Sequence, residues 1–371
     1  MIPVFDPVIG EEEIAAVTDA LRKGEISGSF GSYIPKFEKE FAKYVGAKHG
    51  IAVSNGTTAL HLAVDAAGIK AGDEVLVSAS TNIATALAAY HNNAVAVAVD
   101  SENETWNLNL DLIEGLITPK TKAIIPVHLF GHPVDMDKLL AIAKKHNLIV
   151  IEDCAESHGA TVRGKMTGSF GDMGCYSFYA NKIITTGEGG MIVTDNDAYA
   201  EKLRLLRNLA FTTPRFWHEV AGYNFRMTGY QAAMGVAQLN KIEDFIDGKR
   251  RMAAAYGKHL ADVTELQLPV ELSWAKNVYW MYGVSIKNGT AALRNELMDY
   301  LKANGVDTRT FFCPMNIQPF LMNQPGHRKV ECPVAESIWE TGLYLPSSVN
   351  LKEEDIAYVS SQIKNFFAGK K

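Results

Sequence analysis

Short apolar runs alternate with helical patterns from about residue 50 to residue 195, and this alternation constrains the fold more than any other feature of the sequence. Short apolar runs bounded by polar turns are typical of strands that are buried on both faces of a sheet. Such strands in alternation with helices predict an α/β fold, with parallel strands joined by helical crossovers. The predicted strands span residues 74–77, 94–99, 123–127, 148–151 and 191–193, and the predicted helices span residues 57–67 and 199–210.

The pattern changes beyond about residue 238, where a smaller α+β domain is predicted. With 371 residues the chain exceeds the size at which a single hydrophobic core usually stops growing, so two domains are expected. We assign residues 1–245 to an N-terminal arm and a large domain, and residues 246–371 to a small domain. The second part is predicted to contain a charged helix at 242–260, an aromatic-rich strand at 278–286, a helix at 291–304 and a proline-containing stretch at 311–325.

Charge and composition exclude several classes of protein. A net charge of −6 argues against nucleic-acid binding, which requires clustered Lys and Arg to neutralise phosphates. We expect no signal peptide, because the first residues lack a basic segment followed by an apolar core. No apolar run is long enough to span a bilayer. A cytoplasmic location is therefore predicted. The cysteines are expected to be reduced thiols, because no metal-ligand or disulfide spacing links Cys154, Cys175, Cys313 and Cys332.

A turn of small polar residues, Ser54-Asn55-Gly56-Thr57-Thr58, precedes the first predicted helix. Backbone N–H groups and hydroxyls at a helix N-terminus can bind an anion, since the helix dipole favours negative charge there. The turn is therefore a candidate phosphate site. Taken alone, however, the same residues are better explained as an ordinary helix N-cap, because such caps are common.

Two carboxylates and a lysine follow in the same half of the chain. Glu152 and Asp153 end a very apolar strand, at the sheet edge where α/β proteins bind their ligands. Lys182 lies in an exposed-looking turn, and Ser177 lies five residues before it. A lysine whose ammonium is desolvated loses proton affinity and can attack an aldehyde, which is the chemistry of pyridoxal phosphate (PLP). Most lysines are solvated surface charges, so the prediction depends on the phosphate turn and Asp153 as well as on Lys182.

In combination, these and further motifs resemble the DegT-type sugar-nucleotide aminotransferases, which have the PLP-dependent transferase fold type I. That resemblance implies a large domain with a mostly parallel seven-stranded sheet and a smaller C-terminal α+β domain. Two segments, residues 181–190 and 278–281, are most similar to those of GDP-perosamine synthases. The segments that carry the resemblance are residues 37–42, 54–62, 72–75, 126–131, 152–156, 187–191 and 222–227.

The resemblance implies a role for each matching residue. Lys182 is expected to form the Schiff base with PLP and to move the proton during transfer. Asp153 is expected to face the pyridine nitrogen. Asn224 is expected to reach the cofactor phosphate from the partner subunit, which requires a homodimer with shared active sites, although a simple turn residue is the alternative. The phosphate ligands from the same chain are expected to be Gly56, Thr57, Thr58 and Ser177.

Two positions depart from the commoner family pattern. Position 156 is Glu, where many relatives have Gln beside the phenolic oxygen of the cofactor. A second anion there is expected to raise either the pKa of the Schiff base or its own pKa. Asn82 occupies the position where relatives often stack an aromatic ring on the pyridine. Either its amide plane contacts the cofactor ring, or a neighbour such as His158 takes that role.

Three further residues are candidates for substrate binding: Arg215, Trp217 and Arg309. The first two lie in a segment expected to approach the neighbouring active site, but an aromatic cluster in the dimer contact explains them equally well. The guanidinium of Arg309 suits a bidentate anion, although a surface ion pair is as good an explanation. No metal site is expected from His128 and His132, because no third ligand lies at a typical spacing.

The implied reaction is the transfer of an amino group, from glutamate, to a nucleotide-linked 4-keto-6-deoxysugar. GDP-4-keto-6-deoxymannose is the first choice, and amination at C3 or C4 of a dTDP- or UDP-linked sugar is the alternative. A catalytically silent regulatory protein on the same fold is the alternative from another class. It predicts loss of Lys182 or Asp153, and both are present.

Overall fold

A computed structural model of the protein describes residues 1–214 and 216–370. Its strands, in chain order, are β1 His49–Val53, β2 Glu74–Ser78, β3 Val95–Val99, β4 Thr121–Ile125, β5 Ile149–Asp153, β6 Thr161–Val162, β7 Lys165–Met166, β8 Met173–Ser177, β9 Gly190–Thr194, β10 Leu266–Gln267, β11 Ala275–Lys276, β12 Tyr282–Ile286, β13 Arg309–Thr310 and β14 Gly342–Leu345. Its helices are α1 Glu11–Arg22, α2 Tyr33–Val45, α3 Gly56–Ala66, α4 Ala84–His91, α5 Ile113–Leu116, α6 Met136–His146, α7 Asp197–Arg207, α8 Gly229–Leu239, α9 Ile242–Leu260, α10 Ala291–Ala303, α11 Pro319–Met322, α12 Pro333–Thr341 and α13 Glu353–Ala368.

The largest sheet has seven strands in the order β1-β9-β8-β5-β4-β2-β3. The five strands from β8 to β3 pair in parallel, whereas β9 runs antiparallel to both β8 and β1. This arrangement confirms the predicted α/β fold with a mostly parallel seven-stranded sheet.

Alternate residues of each central strand point to opposite faces of this sheet. In β2, Val75 and Val77 belong to the core on one face, where α3 and α7 pack, while Leu76 belongs to the core on the other face, beside α6. Every residue of β2, β3, β8 and β9 is buried. Burial on both faces explains why the central residues of these strands are mostly apolar and lack the regular polar alternation of a half-exposed sheet.

The five predicted strands of the first half are all present, with ends within two residues of prediction. Two strands of the sheet, β1 and β8, were not predicted. Each contains a glycine and a polar residue, which interrupt the apolar pattern. The glycines are required by close packing: a Cβ at position 50 would lie 2.4 Å from the Glu38 carbonyl oxygen, and one at position 174 would lie 2.4 Å from the Gly168 carbonyl oxygen.

A four-stranded antiparallel sheet, β10-β12-β14-β13, forms the second half of the protein together with α10 and α13. The strand predicted at 278–286 begins only at Tyr282, because Tyr279 has a left-handed backbone (φ 48°) that interrupts the extended chain. The short strand β11 pairs with β6, so the two halves also share a small three-stranded sheet. The predicted domain boundary at residue 245 falls inside the continuous helix α9 and remains a prediction.

Among the described residues, no helix is both long enough and apolar enough to cross a membrane.

Candidate active site

A cavity of about 660 Å³ opens where the parallel strands end, and most of the predicted site residues line it. It is bounded by the start of α3 and by the residues that follow β2, β4, β5 and β8, while Trp280, Phe312 and Tyr344 close it from the second half of the chain. This is the edge at which open α/β sheets bind ligands. The predicted residues that line it are Gly56, Thr57, Thr58, Asn82, Asp153, Glu156, Ser177 and Lys182.

The predicted phosphate turn forms the N-terminus of α3. Asn55 is its N-cap, and its side-chain oxygen accepts a 2.8 Å hydrogen bond from the Thr58 N–H. Gly56 packs so closely on β8 that a Cβ would lie 2.7 Å from the Cβ of Ser177. The turn is therefore both an ordinary N-cap and a cradle of backbone and hydroxyl groups at the positive end of a helix dipole.

Asp153 is buried at the end of β5, and its carboxylate is held from two directions. The Thr85 hydroxyl donates a 2.8 Å hydrogen bond to Oδ2, and the Ala155 N–H donates a 3.1 Å bond to Oδ1. Burial raises the pKa of Asp153 above its ordinary value, and these two hydrogen bonds, together with the charge of Lys182, limit the rise. A cationic ring nitrogen in the cavity would favour the ionised form of this carboxylate.

Lys182 follows β8 in a tight turn, where its N–H donates a 2.9 Å hydrogen bond to the Tyr179 carbonyl oxygen. The expectation of an exposed turn is wrong, because the Lys182 side chain is half-buried and lines the cavity. Its Nζ lies 3.8 Å from the centroid of the Trp280 ring. Burial lowers the pKa of Lys182, while the charges of Glu156 and Asp153 oppose that fall. A lowered pKa makes the neutral, nucleophilic amine available nearer to neutral pH.

Glu156 is buried beside these two residues and shares their electrostatics. Its Oε2 accepts a 2.8 Å hydrogen bond from the N–H of Phe130, whose backbone is left-handed (φ 52°). Burial raises the pKa of Glu156 to about 7, with Lys182 lowering it and Asp153 raising it further. The shift lies on Glu156, one of the two groups that the sequence left open, and it brings the titration of this carboxyl group toward neutral pH.

Asn82 lines the cavity, but its side chain is already engaged in the chain turn before α4. Its Oδ1 accepts a 3.0 Å hydrogen bond from the Ala84 N–H. His158 does not take the stacking role that we considered for it. It is fully buried away from the cavity, against the rings of Phe41, Tyr176 and Phe178.

The remaining predicted residues lie outside this cavity. Asn224 is exposed, and Trp217 is 58% exposed, which leaves both available to a neighbouring subunit. The guanidinium of Arg309 pairs with Asp307, as expected for a surface ion pair. Arg215 lies outside the described residues.

The sequence did not single out Thr85, which lies behind the cavity, or Phe312 and Tyr344, which line it. Thr85 orients Asp153, while Phe312 and Tyr344 come from segments far along the chain. Trp280 was noted only for its resemblance to one branch of a family. The run Ser80-Thr81-Asn82-Ile83-Ala84-Thr85 offered a signal for Thr85, since two hydroxyl residues one helical turn apart lie near a strand end. No local pattern marks Phe312 or Tyr344.

His128 has potential metal-ligand neighbours that the sequence spacing did not reveal. One ligand atom each from His128, Glu152 and Cys154 lie within 4.8 Å of one another, and all three residues are buried. The Glu152 carboxylate, however, already accepts hydrogen bonds from the backbone N–H groups of Gly168, Phe170 and Gly171, each within 2.8 Å. These bonds give the cluster a structural role in holding the loop before β8.

Comparison with known proteins gives consistent matches along the whole chain. Residues 7–364 match the model of the DegT/DnrJ/EryC1/StrS aminotransferase family. A GDP-perosamine synthase of Caulobacter vibrioides is 44% identical over 88% of each chain, and one of Escherichia coli O157:H7 is 41% identical over 100% of this chain and 99% of its own. The PLP form of a Streptococcus pneumoniae protein assigned to the sugar aminotransferases superposes with a TM-score of 0.93, at 25% identity and with 99% of each chain covered.

Proposed function

The chain belongs to the DegT/DnrJ/EryC1/StrS aminotransferase family, and on this basis we propose that it transfers an amino group from glutamate to C4 of GDP-4-keto-6-deoxymannose, giving GDP-perosamine. The observation that carries the proposal is the single cavity that brings together Lys182, Asp153 and the N-terminus of α3. The choice of substrate is supported by the two relatives that bear the name GDP-perosamine synthase.

The cavity fits the cofactor of the family, pyridoxal phosphate, in its size and in its donor groups. It contains an amine of lowered pKa, a buried carboxylate and a helix N-terminus, which suit an aldehyde, a ring nitrogen and a phosphate respectively. The absence of a Cβ at Gly56 lets the backbone of α3 approach Ser177 closely. When bound, pyridoxal phosphate supplies the carbonyl carbon that carries the amino group and a ring that takes up electron density.

Each residue then has a distinct task. The Lys182 amine binds the cofactor and afterwards moves a proton to and from the reacting carbon. Asp153, held by Thr85, faces the ring nitrogen and stabilises its positive charge. Gly56, Thr57, Thr58 and Ser177 hold the phosphate group. Glu156 lies beside Lys182 and sets the charge of the site near neutral pH.

The aromatic wall of Trp280, Phe312 and Tyr344 limits the volume available to the sugar and keeps water from one side of the cavity. The sugar substrate enters from the open side, where the exposed Tyr179 and Glu188 line the rim. We propose that the enzyme forms homodimers in which Asn224 and the segment around Trp217 reach the cavity of the partner subunit. The exposure of both residues supports this assignment. The cytoplasmic location is supported by the four cysteines, which are free thiols.

A substrate panel tests the proposal. The purified protein, loaded with pyridoxal phosphate, is incubated with glutamate and with GDP-, UDP- or dTDP-linked ketosugars, and 2-oxoglutarate and aminosugar are measured. Preference for GDP-4-keto-6-deoxymannose is expected. Preference for a UDP- or dTDP-linked sugar would overturn the perosamine assignment while keeping the aminotransferase, and turnover of none of these sugars would remove the sugar-nucleotide assignment.

A further inference from the structure

A second lysine is buried close to the active site and has no part in the reaction described so far. Lys249 lies on α9 and is 3% exposed. Its Nζ donates a 2.9 Å hydrogen bond to the carbonyl oxygen of Trp280 and another to the carbonyl oxygen of Ser347. It thereby connects α9 to the chain before β12 and to the chain after β14.

Burial of the Lys249 ammonium group destabilises the folded protein. Both hydrogen-bond partners of its Nζ are neutral carbonyl groups, so no carboxylate compensates its charge at these contacts. Burial alone lowers the pKa of Lys249 to about 7. An apolar side chain of the same length would fill the space without this penalty. The two hydrogen bonds are therefore the property that distinguishes lysine from an apolar residue here.

Trp280, the residue that Lys249 holds, contacts the Lys182 turn in two places. Its indole Nε1 donates a 2.7 Å hydrogen bond to the carbonyl oxygen of Asn181. The face of its ring lies 3.8 Å from the Nζ of Lys182. The chain before Trp280 cannot fix the ring by regular pairing, because Tyr279 is left-handed and β12 begins only at Tyr282.

Lys249 and the Lys182 turn are also separated by very little space. A small void of about 20 Å³ is lined by Lys249, Asn181 and Lys182. The void is large enough for about one water molecule. The Lys249 side chain and the Lys182 turn therefore have little free space into which either could move independently.

We propose that Lys249 is a positioning residue for Lys182: its buried amine fixes the main chain of Trp280, and Trp280 in turn holds the Lys182 amine against the face of its indole ring. The inference rests on the proposed role of Lys182 in the reaction. The contact between ring and ammonium stabilises the charged form of Lys182. Loss of the Lys249 hydrogen bond should therefore make Lys182 easier to deprotonate.

Competitive acetylation of the cofactor-free, full-length protein tests this directly. Acetic anhydride is added between about pH 6 and pH 11, which brackets ordinary lysine titration, and Lys182 is quantified by peptide mass mapping. In Lys249→Met, the midpoint for Lys182 is expected to fall by roughly 0.5–1.5 pH units, the range of a cation–π contact. Trp280→Leu should produce the same shift, and the double variant should show no further shift.

Lys258→Met is the matched control, since Lys258 is an exposed lysine on the same helix, and it should leave the midpoint unchanged. If Lys249→Met does not fold, Lys249→Gln, which keeps a shorter N–H donor, should give a smaller shift of the same sign. An unchanged Lys182 midpoint in a folded variant, or further change in the double variant, overturns the proposal. The readout needs neither cofactor nor sugar, so it is independent of the substrate panel.

Discussion

The hydroxyl of Thr85 donates a 2.8 Å hydrogen bond to Oδ2 of Asp153, and this bond fixes the carboxylate that we propose as the partner of the cofactor ring nitrogen. A second hydroxyl, that of Thr81, lies 2.9 Å from Thr85 Oγ1. Asp153 is thus oriented by a short chain of buried hydroxyl groups. A carboxylate that is fixed before the cofactor binds loses little entropy when it does bind.

Thr85→Val removes this donor and keeps the shape of the side chain. The affinity of the cofactor-free protein for pyridoxal phosphate, measured by absorbance titration, should fall by about 10-fold or more, since a hydrogen bond to a charged group contributes roughly 1.5–3 kcal/mol. The Thr81 hydroxyl is one hydrogen bond further from Asp153, so Thr81→Val should lower the affinity less. Equal affinity of Thr85→Val and the wild type would contradict the role given to this hydroxyl.

Glu156→Gln should remove a titration near neutral pH. Burial raises the pKa of Glu156 to about 7, so the folded state holds this proton more tightly than the unfolded state does. Its contribution to stability is complete below about pH 4.3 and is lost as the pH rises through 7. In urea unfolding of the cofactor-free protein, the free energy of unfolding of the wild type should fall more than that of Glu156→Gln as the pH rises through this range. Parallel pH profiles for the two proteins would show that Glu156 is not the titrating group.

Gly56→Ala should damage the phosphate cradle specifically. The added methyl would meet the Cβ of Ser177 at 2.7 Å, so the start of α3 or the end of β8 must move. Because overpacking of this kind usually costs 1–3 kcal/mol, we expect a loss of about 10-fold in affinity for pyridoxal phosphate, and a smaller loss for pyridoxal, which lacks the phosphate. Gly115→Ala, which adds a methyl in open space, is the control. The assignment fails if both ligands weaken equally.

Asn224→Ala and Lys182→Ala should complement each other if active sites are shared between subunits. Each variant alone is expected to be strongly impaired. In a heterodimer, one site contains Lys182 from one chain and Asn224 from the other, so random mixing should restore roughly a quarter of wild-type activity. Mixing Lys182→Ala with Asp153→Ala should restore none, because both residues line the cavity of one chain. Failure of the first mixture would remove Asn224 from the site.

The first half of the fold was predictable from sequence because its strands are buried on both faces. β3 is apolar throughout and β2 is apolar between Glu74 and Ser78, whereas β1 and β8 contain glycines that are required by contacts with residues distant in the fold. The cavity of Lys182 and Asp153 was also predictable. Strand order decides which strand ends meet, and the resemblance to a known family implied that these residues share one site.

The rest of the site depends on contacts that no local pattern records. Lys249 is one lysine in a charged helix. Only the structure shows that its amine is buried and donates a hydrogen bond to the Trp280 carbonyl oxygen. Tyr344, on β14, and Phe312, just after β13, line the cavity although both lie far along the chain from Lys182. The side chain of Arg309 suits an anion ligand or a surface ion pair, and only the structure shows that it pairs with Asp307.

The central claim is that Lys182 is the lysine that binds the cofactor, and one measurement tests it most directly. The protein is loaded with pyridoxal phosphate, reduced with sodium borohydride, digested and mapped by mass spectrometry. We predict a single pyridoxyl group, on Lys182, which is absent from Lys182→Ala. A pyridoxyl group on Lys249 or on any other lysine, with Lys182 unmodified, would contradict the account.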